Sequence, residues 1–86
     1  MPEPGCELTT HAATVVAQRE IEIAWIERAI RNAEWIEADR RDPSLTHALA
    51  RIPERDGRVL RVVYNASVYP PRVVTAYFDR RQRGKP

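Results

Sequence analysis

Two histidines and a set of arginines and tyrosines are the side chains of this chain that suit acid–base chemistry on a phosphodiester. His47, Arg61 and Tyr77 fall on three different segments that the sequence predicts to be strands. RNA is cut without a metal when a base takes the 2′-hydroxyl proton, an acid protonates the leaving oxygen and cations stabilise the phosphorane. Histidine serves as acid or base near neutrality, and the arginine fork fits a phosphate.

The alternation of side chains predicts that these residues share one face of a sheet. His47 projects with Arg61 onto the open face if the alanines beside it face the core. Thr75 and Tyr77 flank Ala76 on the polar face of the last strand, where tyrosine can orient a phosphate or stack on a base. The structural alternatives are a surface histidine on an edge strand, a solvent-facing arginine and cross-strand packing of Thr75 and Tyr77.

His11 and Arg19 lie near the two ends of the first predicted helix. His11 could reach a phosphate held at the helix N-terminus, or it could be satisfied by the backbone near the cap. Arg19 either contacts a phosphate or, as its position favours, caps the last carbonyls of the helix. Cys6, His11 and His47 lack any recognised ligand spacing, so neither a metal nor another cofactor is expected.

The charge of the chain is unevenly distributed. Residues 1–57 hold seven Arg against eleven acidic residues, whereas residues 58–86 hold six Arg and one Lys against one Asp. A polyanion would therefore dock on the last third, where the side chains of Arg58, Arg80 and Arg81 would contact its backbone. The alternative for 80–86 is a solubilising tail.

The totals indicate one small globular domain. The chain has 86 residues, 43% of them hydrophobic, and no run of about 18 apolar residues that a membrane span requires. Met1 to Leu8 lacks the apolar run of a signal peptide. The single cysteine, Cys6, cannot form an internal disulfide, so a reducing bacterial cytoplasm is the expected location.

Helical spacing gives way to alternation after Asn32, and this switch predicts an α+β fold with two N-terminal helices packed on one face of a four-stranded antiparallel sheet. Thr9 and Thr10 supply a cap for the first helix, and Asp56-Gly57 is a hairpin signal. A helix is the alternative for the second strand, because Ala48 and Ala50 suit one. The expected helices are 10–18 and 21–33, and the expected strands are 35–39, 46–52, 58–65 and 72–79.

The same periodicities predict the core and the limits of the domain. One domain should span 8–80, with flexible termini at 1–7 and 81–86. Side chains on the helix-facing side should be buried together. The predicted core consists of Ile26, Ile30, Leu60, Val62, Val74 and Phe78.

Four short motifs carry a resemblance to a known family. They read LTTHA at 8–12, REI at 19–21, RVLRVVY at 58–64 and VVTAY at 73–77. They resemble a family of small bacterial domains of unknown function that is similar in fold to RelE and ParE toxins, and more distantly to the barnase and colicin nuclease group. The resemblance implies the helix-and-sheet arrangement above and places His11, Arg19, Arg61 and Thr75 at recurrent polar positions. Glu22 departs from the Ser-like cap usual for the second helix.

Two functions follow as hypotheses. The first is a metal-independent endoribonuclease of the toxin–antitoxin type, using His47, His11, Arg61, Tyr77 and Thr75. Its partners would be RNA, including ribosome-associated RNA, and a small antitoxin protein, with the chain a monomer or weak dimer. The second is a non-catalytic module that binds nucleic acid or protein, including a gyrase-directed toxin or an inactive remnant. Neither involves a membrane.

Overall fold

A short strand, two helices and four longer strands make up the fold. The structure is a computed structural model that describes residues 5–80. In chain order the elements are β1 (Glu7–Leu8), α1 (Thr10–Gln18), α2 (Ile23–Arg31), β2 (Trp35–Ala38), β3 (Leu45–Ile52), β4 (Arg58–Asn65) and β5 (Arg72–Phe78). Within the described range, neither helix is long and apolar enough to cross a membrane.

The two helices are separated by a backbone turn at Glu20. Thr9 caps α1, because its side-chain oxygen accepts a hydrogen bond from the Ala12 N–H at 3.1 Å. The predicted range of this helix, 10–18, is confirmed. Glu20 adopts a left-handed φ of 55°, and Glu22 is extended at the start of α2. The second helix is therefore shorter than the predicted 21–33.

The sheet has five strands in the order β1-β5-β4-β3-β2. The α+β class is confirmed, as are the antiparallel pairings among β2, β3, β4 and β5. The expectation of a four-stranded, wholly antiparallel sheet was wrong, because β1 pairs parallel with β5. The Glu7 N–H donates to the Pro71 carbonyl at 2.8 Å, and the Thr9 N–H donates to the Val73 carbonyl at 3.0 Å. These two bonds bring the chain alongside β5 immediately before it enters α1.

The N-terminal part of the domain is more ordered than the sequence predicted. Cys6 is buried in the core, and Glu7 belongs to β1. The packed region therefore begins before residue 8. The predicted flexible C-terminus, 81–86, lies outside the described residues.

The core lies between the helices and the sheet. Ile26, Leu60 and Val62 are fully buried there, as predicted, while Ile30 and Phe78 are half-buried against the same cluster. Of the two tryptophans, Trp25 is buried in this cluster. Trp35 instead is half-buried on β2.

One predicted core residue, Val74, is replaced by its neighbour. The pairing of β4 with β5 shifts between Val63 and Tyr64, so that Thr75 lies opposite Val63 while Val73 lies opposite Tyr64. Val74 is the extra residue of this β-bulge. The bulge reverses the parity of the strand, and Val73 takes the fully buried core position while Val74 is half-buried.

Candidate active site on the open sheet face

Arg61 lies on the sheet face opposite the helices, where it is flanked on both sides. Strand pairing places it between Leu49 on β3 and Tyr77 on β5. Arg61 alternates with Leu60 and Val62, which face the helices, so its side chain points the other way. Its neighbours leave only 5% of the residue exposed.

His47 occupies the adjacent row of the same face. It lies between Glu37 on β2 and Val63 on β4, and Thr75 follows on β5. The row is half-buried at His47 and Thr75 and buried at Val63. The prediction that His47, Arg61 and Tyr77 share one face agrees with this pairing.

A chain of hydrogen bonds runs from Asp39 through His47 to Arg61. Nη1 of Arg61 lies 2.7 Å from Nδ1 of His47, and Nε2 of His47 lies 2.7 Å from Oδ1 of Asp39. A guanidinium nitrogen only donates, so Nδ1 accepts and the ring proton is on Nε2. Asp39 thus receives the Nε2–H and holds the ring in one tautomer.

Two more carboxylates fix the Arg61 guanidinium. Its Nε donates to Oδ2 of Asp79 at 2.8 Å, and Nη1 donates to Oε1 of Glu37 at 2.9 Å. Asp79 is almost fully buried, whereas the Glu37 side chain is 44% exposed. Arg61 is therefore held between a buried partner, Asp79, and a half-exposed one, Glu37, and its own side chain is 6% exposed.

The electrostatics of the cluster follow from these contacts. The hydrogen bond from His47 is the largest cause that lowers the pKa of Asp39 to about 2, and the N–H groups of Asp42 and Arg41 add to it. Burial by itself lowers the pKa of Arg61, but the hydrogen bonds to Glu37 and Asp79 outweigh it and raise that pKa above its usual value. The Asp39 carboxylate and the Arg61 guanidinium therefore remain charged around neutrality.

Negative charge exceeds positive charge in this cluster. One guanidinium and one imidazole are placed among three carboxylates, those of Glu37, Asp39 and Asp79. A phosphate entering the site would meet a local excess of anions and would need cations from outside the cluster. Among residues 5–80, no group of three His, Cys, Asp or Glu is placed to hold a metal ion.

The other predicted site residues lie elsewhere. His11 is exposed on α1, which packs on the opposite sheet face. Arg19 does not cap α1 with its side chain; its Nη1 donates instead to the Ala76 carbonyl of β5 at 2.8 Å. The guanidinium of Arg58 faces an aromatic ring, Arg80 is exposed beside a cleft, and Arg81 is outside the described residues.

Sequence reasoning gave no role to the three carboxylates that hold His47 and Arg61. The signal was present in the alternation, because Glu37 and Asp39 share parity with Trp35, and Asp79 shares parity with Tyr77. Each acidic residue alone has an ordinary solvent-facing interpretation. Only the register between strands shows that they converge.

The comparisons with known proteins identify a family. A family profile described as Domain of unknown function (DUF4258) matches residues 8–78. This range covers most of the chain, and the chain belongs to that family. No curated protein matches the chain. No solved structure matches it either.

Proposed function

We propose that this member of the DUF4258 family is a metal-independent endoribonuclease whose general base is His47. The observation that carries the proposal is the hydrogen-bonded chain from Asp39 through His47 to Arg61 on the sheet face opposite the helices, with Tyr77 directly opposite Arg61. A histidine oriented by a carboxylate and placed beside a guanidinium and a phenol combines the groups that phosphodiester cleavage requires.

In the free protein, Nδ1 of His47 is occupied by Arg61. A non-bridging phosphate oxygen carries charge and is a stronger acceptor for guanidinium than a neutral imidazole. On substrate binding, Nη1 of Arg61 passes from Nδ1 to the phosphate, and Nδ1 becomes available as a base. Asp39 continues to hold the Nε2–H, so the ring keeps the tautomer that the reaction needs.

The reaction then proceeds by transfer of the nucleophile's proton to His47. The 2′-oxygen bonds to phosphorus as Nδ1 takes its proton, and Arg61 stabilises the charge on the phosphorane. The bond from phosphorus to the 5′-oxygen breaks, and the Tyr77 hydroxyl gives that oxygen a proton. The products are a 2′,3′-cyclic phosphate and a 5′-hydroxyl. Solvent returns a proton to Tyr77 as His47 loses its own.

The proposal extends to the biological setting that the resemblance to RelE and ParE toxins implies. In that setting the chain acts in the cytoplasm on RNA, ribosome-bound RNA included, and a small antitoxin protein is its partner. Thr75 lies in the His47 row and would contact the substrate there.

A non-catalytic binding module is the second candidate, and one observation favours it. Arg61 is already paired with Asp79 and Glu37, and both ring nitrogens of His47 are engaged. In this alternative the network is a cross-strand brace that joins β2, β3, β4 and the residue after β5. The open face would then bind a partner without changing it.

The experiment is incubation of the purified protein with structured and unstructured RNA in EDTA, with and without ribosomes. We expect fragments that end in a 2′,3′-cyclic phosphate, and no cut at a position where the RNA carries a single 2′-deoxy substitution. His47→Ala should abolish cleavage while RNA affinity changes little. His11→Ala is the matched control, since it removes the exposed histidine of α1 and should retain activity.

The opposite results are equally informative. Intact RNA under all of these conditions would favour the binding module. Cleavage that persists in His47→Ala would show that the nuclease activity does not come from this cluster.

A further inference from the structure

Two arginines lie against aromatic rings at the end of the sheet where β4 begins and β5 ends. The guanidinium of Arg58 lies 4.9 Å from the Phe78 ring centroid, and that of Arg55 lies 5.0 Å from the same centroid. Arg55 also lies 5.8 Å from the Trp25 ring. Trp25 and Phe78 form an edge-to-face pair with centroids 6.3 Å apart. Each guanidinium is thus held against an aromatic ring of this pair.

These two guanidiniums differ from the other well-placed arginines in their partners. Arg28 forms a bidentate pair with Glu54, and Arg61 is paired with buried Asp79. Among residues 5–80, by contrast, the Arg58 side chain makes no hydrogen bond or ion pair, and the hydrogen bond that the Arg55 side chain donates goes to the Glu20 carbonyl at 3.3 Å. A guanidinium that rests on a ring and forms no ion pair keeps its N–H donors available for an anion.

A cleft of about 420 Å³ opens beside these residues. Its lining includes Arg58, Phe78 and Arg80 together with Asp56, Val59 and Asp79. Asp79 also accepts the hydrogen bond from Nε of Arg61. The cleft and the Asp39–His47–Arg61 network therefore share a residue and adjoin each other.

The turn before β4 holds these arginines in place. Asp56 and Gly57 both take positive φ, 59° and 72°, and their N–H groups donate to the carbonyls of Pro53 and Ile52 at 3.1 and 3.0 Å. These hydrogen bonds thus fix the backbone of the segment that runs from Arg55 to Arg58. Planar guanidiniums that already rest on a ring lose little conformational freedom when they bind a phosphate.

We propose that this cleft binds a backbone phosphate of a single-stranded RNA next to the one that is cleaved, through Arg58 and Arg80. The inference rests on the proposed function, since it supplies the cations that the carboxylate-rich catalytic cluster lacks. It also assigns the path of the strand, which runs from the open sheet face over Asp79 into the cleft. The ligand chemistry is a phosphodiester, recognised by charge and by the guanidinium fork rather than by base sequence.

The test is binding of a fluorescein-labelled single-stranded DNA oligonucleotide, which has the same phosphates but no 2′-hydroxyl and so cannot be cut. Fluorescence anisotropy is measured over a range of KCl concentrations for wild type and Arg58→Gln. Arg72→Gln is the matched control, because it removes an exposed arginine from the opposite end of β5. Arg58→Lys keeps the charge and removes the fork.

We expect Arg58→Gln to lower the slope of log K against log salt concentration by about 0.7, the value for one lost phosphate contact on a single strand. The ratio of wild-type to variant affinity should therefore be about fivefold larger at 0.1 M than at 1 M salt. Arg58→Lys should keep most of the slope, and Arg72→Gln should leave it unchanged. Circular dichroism melting curves establish that each variant is folded. A slope in Arg58→Gln equal to that of Arg72→Gln would overturn the inference, and so would equally tight binding of a poly-glutamate peptide.

The inference and the proposed function fail separately. If the salt slope decreases in Arg58→Gln but wild type does not cut the equivalent RNA, the result supports the phosphate site in the cleft and contradicts the nuclease proposal. If wild type cuts RNA and Arg58→Gln cuts it with an unchanged KM, the nuclease proposal stands and the cleft falls.

Discussion

Arg61 and Asp79 form an ion pair beneath the open face of the sheet, with Nε of Arg61 2.8 Å from Oδ2 of Asp79. Both residues are at most 5% exposed. A charge so placed depends on its partner, because removal of one member leaves the other charge buried. This pair therefore determines both where the guanidinium lies and how costly its loss should be.

Replacement of Arg61 by methionine should destabilise the fold strongly. Arg61→Met removes an ion-pair partner of the buried Asp79 carboxylate and should lower the free energy of unfolding by about 3–5 kcal/mol. The double variant Arg61→Met/Asp79→Leu removes both charges and should recover most of that loss. Urea denaturation at pH 7 measures the difference. A double variant as unstable as the single one would show that the pair is not the source of the effect.

Periodicity predicted most of the secondary structure of this chain, because long elements repeat their signal. The apolar spacing of α2 and the β-branched residues of β4 each extend over several residues, and both elements form where expected. β1 was missed because a strand of only Glu7 and Leu8 is too short to show alternation. The bulge at Val74 was missed because one extra residue is visible only in the register with β4.

The candidate site was predictable only in part for a related reason. Alternation placed His47, Arg61 and Tyr77 on one face, and the strand pairing agrees with it. It did not predict that Asp79 buries Arg61 or that Asp39 orients His47, since these contacts join residues that lie far apart in the chain or across a loop.

The bulge itself leads to a test of the core. Val73→Ala removes two methyl groups from a fully buried position and should cost on the order of 2 kcal/mol, whereas Val74→Ala should cost less than about 1 kcal/mol. Each variant is the control for the other, because the substitution is the same and the positions are adjacent. Chemical denaturation midpoints give the comparison. A larger loss of stability in Val74→Ala than in Val73→Ala would contradict the bulge and favour the regular alternation that the sequence predicted.

The low pKa of Asp39 should be visible in its titration. The hydrogen bond from His47 is its main cause, so His47→Ala should raise the pKa of Asp39 from about 2 toward its ordinary value of 3.8. The N–H groups of Asp42 and Arg41 remain and should keep it below that value. Carbon-13 NMR of the side-chain carboxyl measures the midpoint.

The same titration has an internal control and a consequence for stability. The pKa of Glu54 is also lowered to about 2, but by Arg28, so it should not change in His47→Ala. A carboxyl group whose pKa is lower in the folded state than in the unfolded state stabilises the fold at pH values above its ordinary pKa. That contribution is lost as the pH falls from near 4 through about 2. His47→Ala should therefore show a weaker decline in stability over this range. An unchanged Asp39 midpoint would contradict the hydrogen bond.

Asp39 should act on the reaction only through His47, as a positioning residue. An asparagine at this position offers an amide N–H as well as a carbonyl, and the amide can donate to Nε2 of His47. The ring would then carry its proton on Nδ1, the nitrogen that must accept the 2′-hydroxyl proton. Asp39→Asn should lower kcat on the order of 10²-fold with little change in KM, because substrate contacts are retained. Asp39→Glu, which keeps the carboxylate, should recover part of the loss.

Single-turnover cleavage of a labelled RNA measures kcat, and thermal melting of the same samples shows whether the fold is intact. A purely structural role would make kcat and melting temperature fall together, and Glu would then rescue neither. If Asp39→Asn cleaves RNA at the wild-type rate, the base is not held by this carboxylate and the assignment of His47 loses its main geometric support.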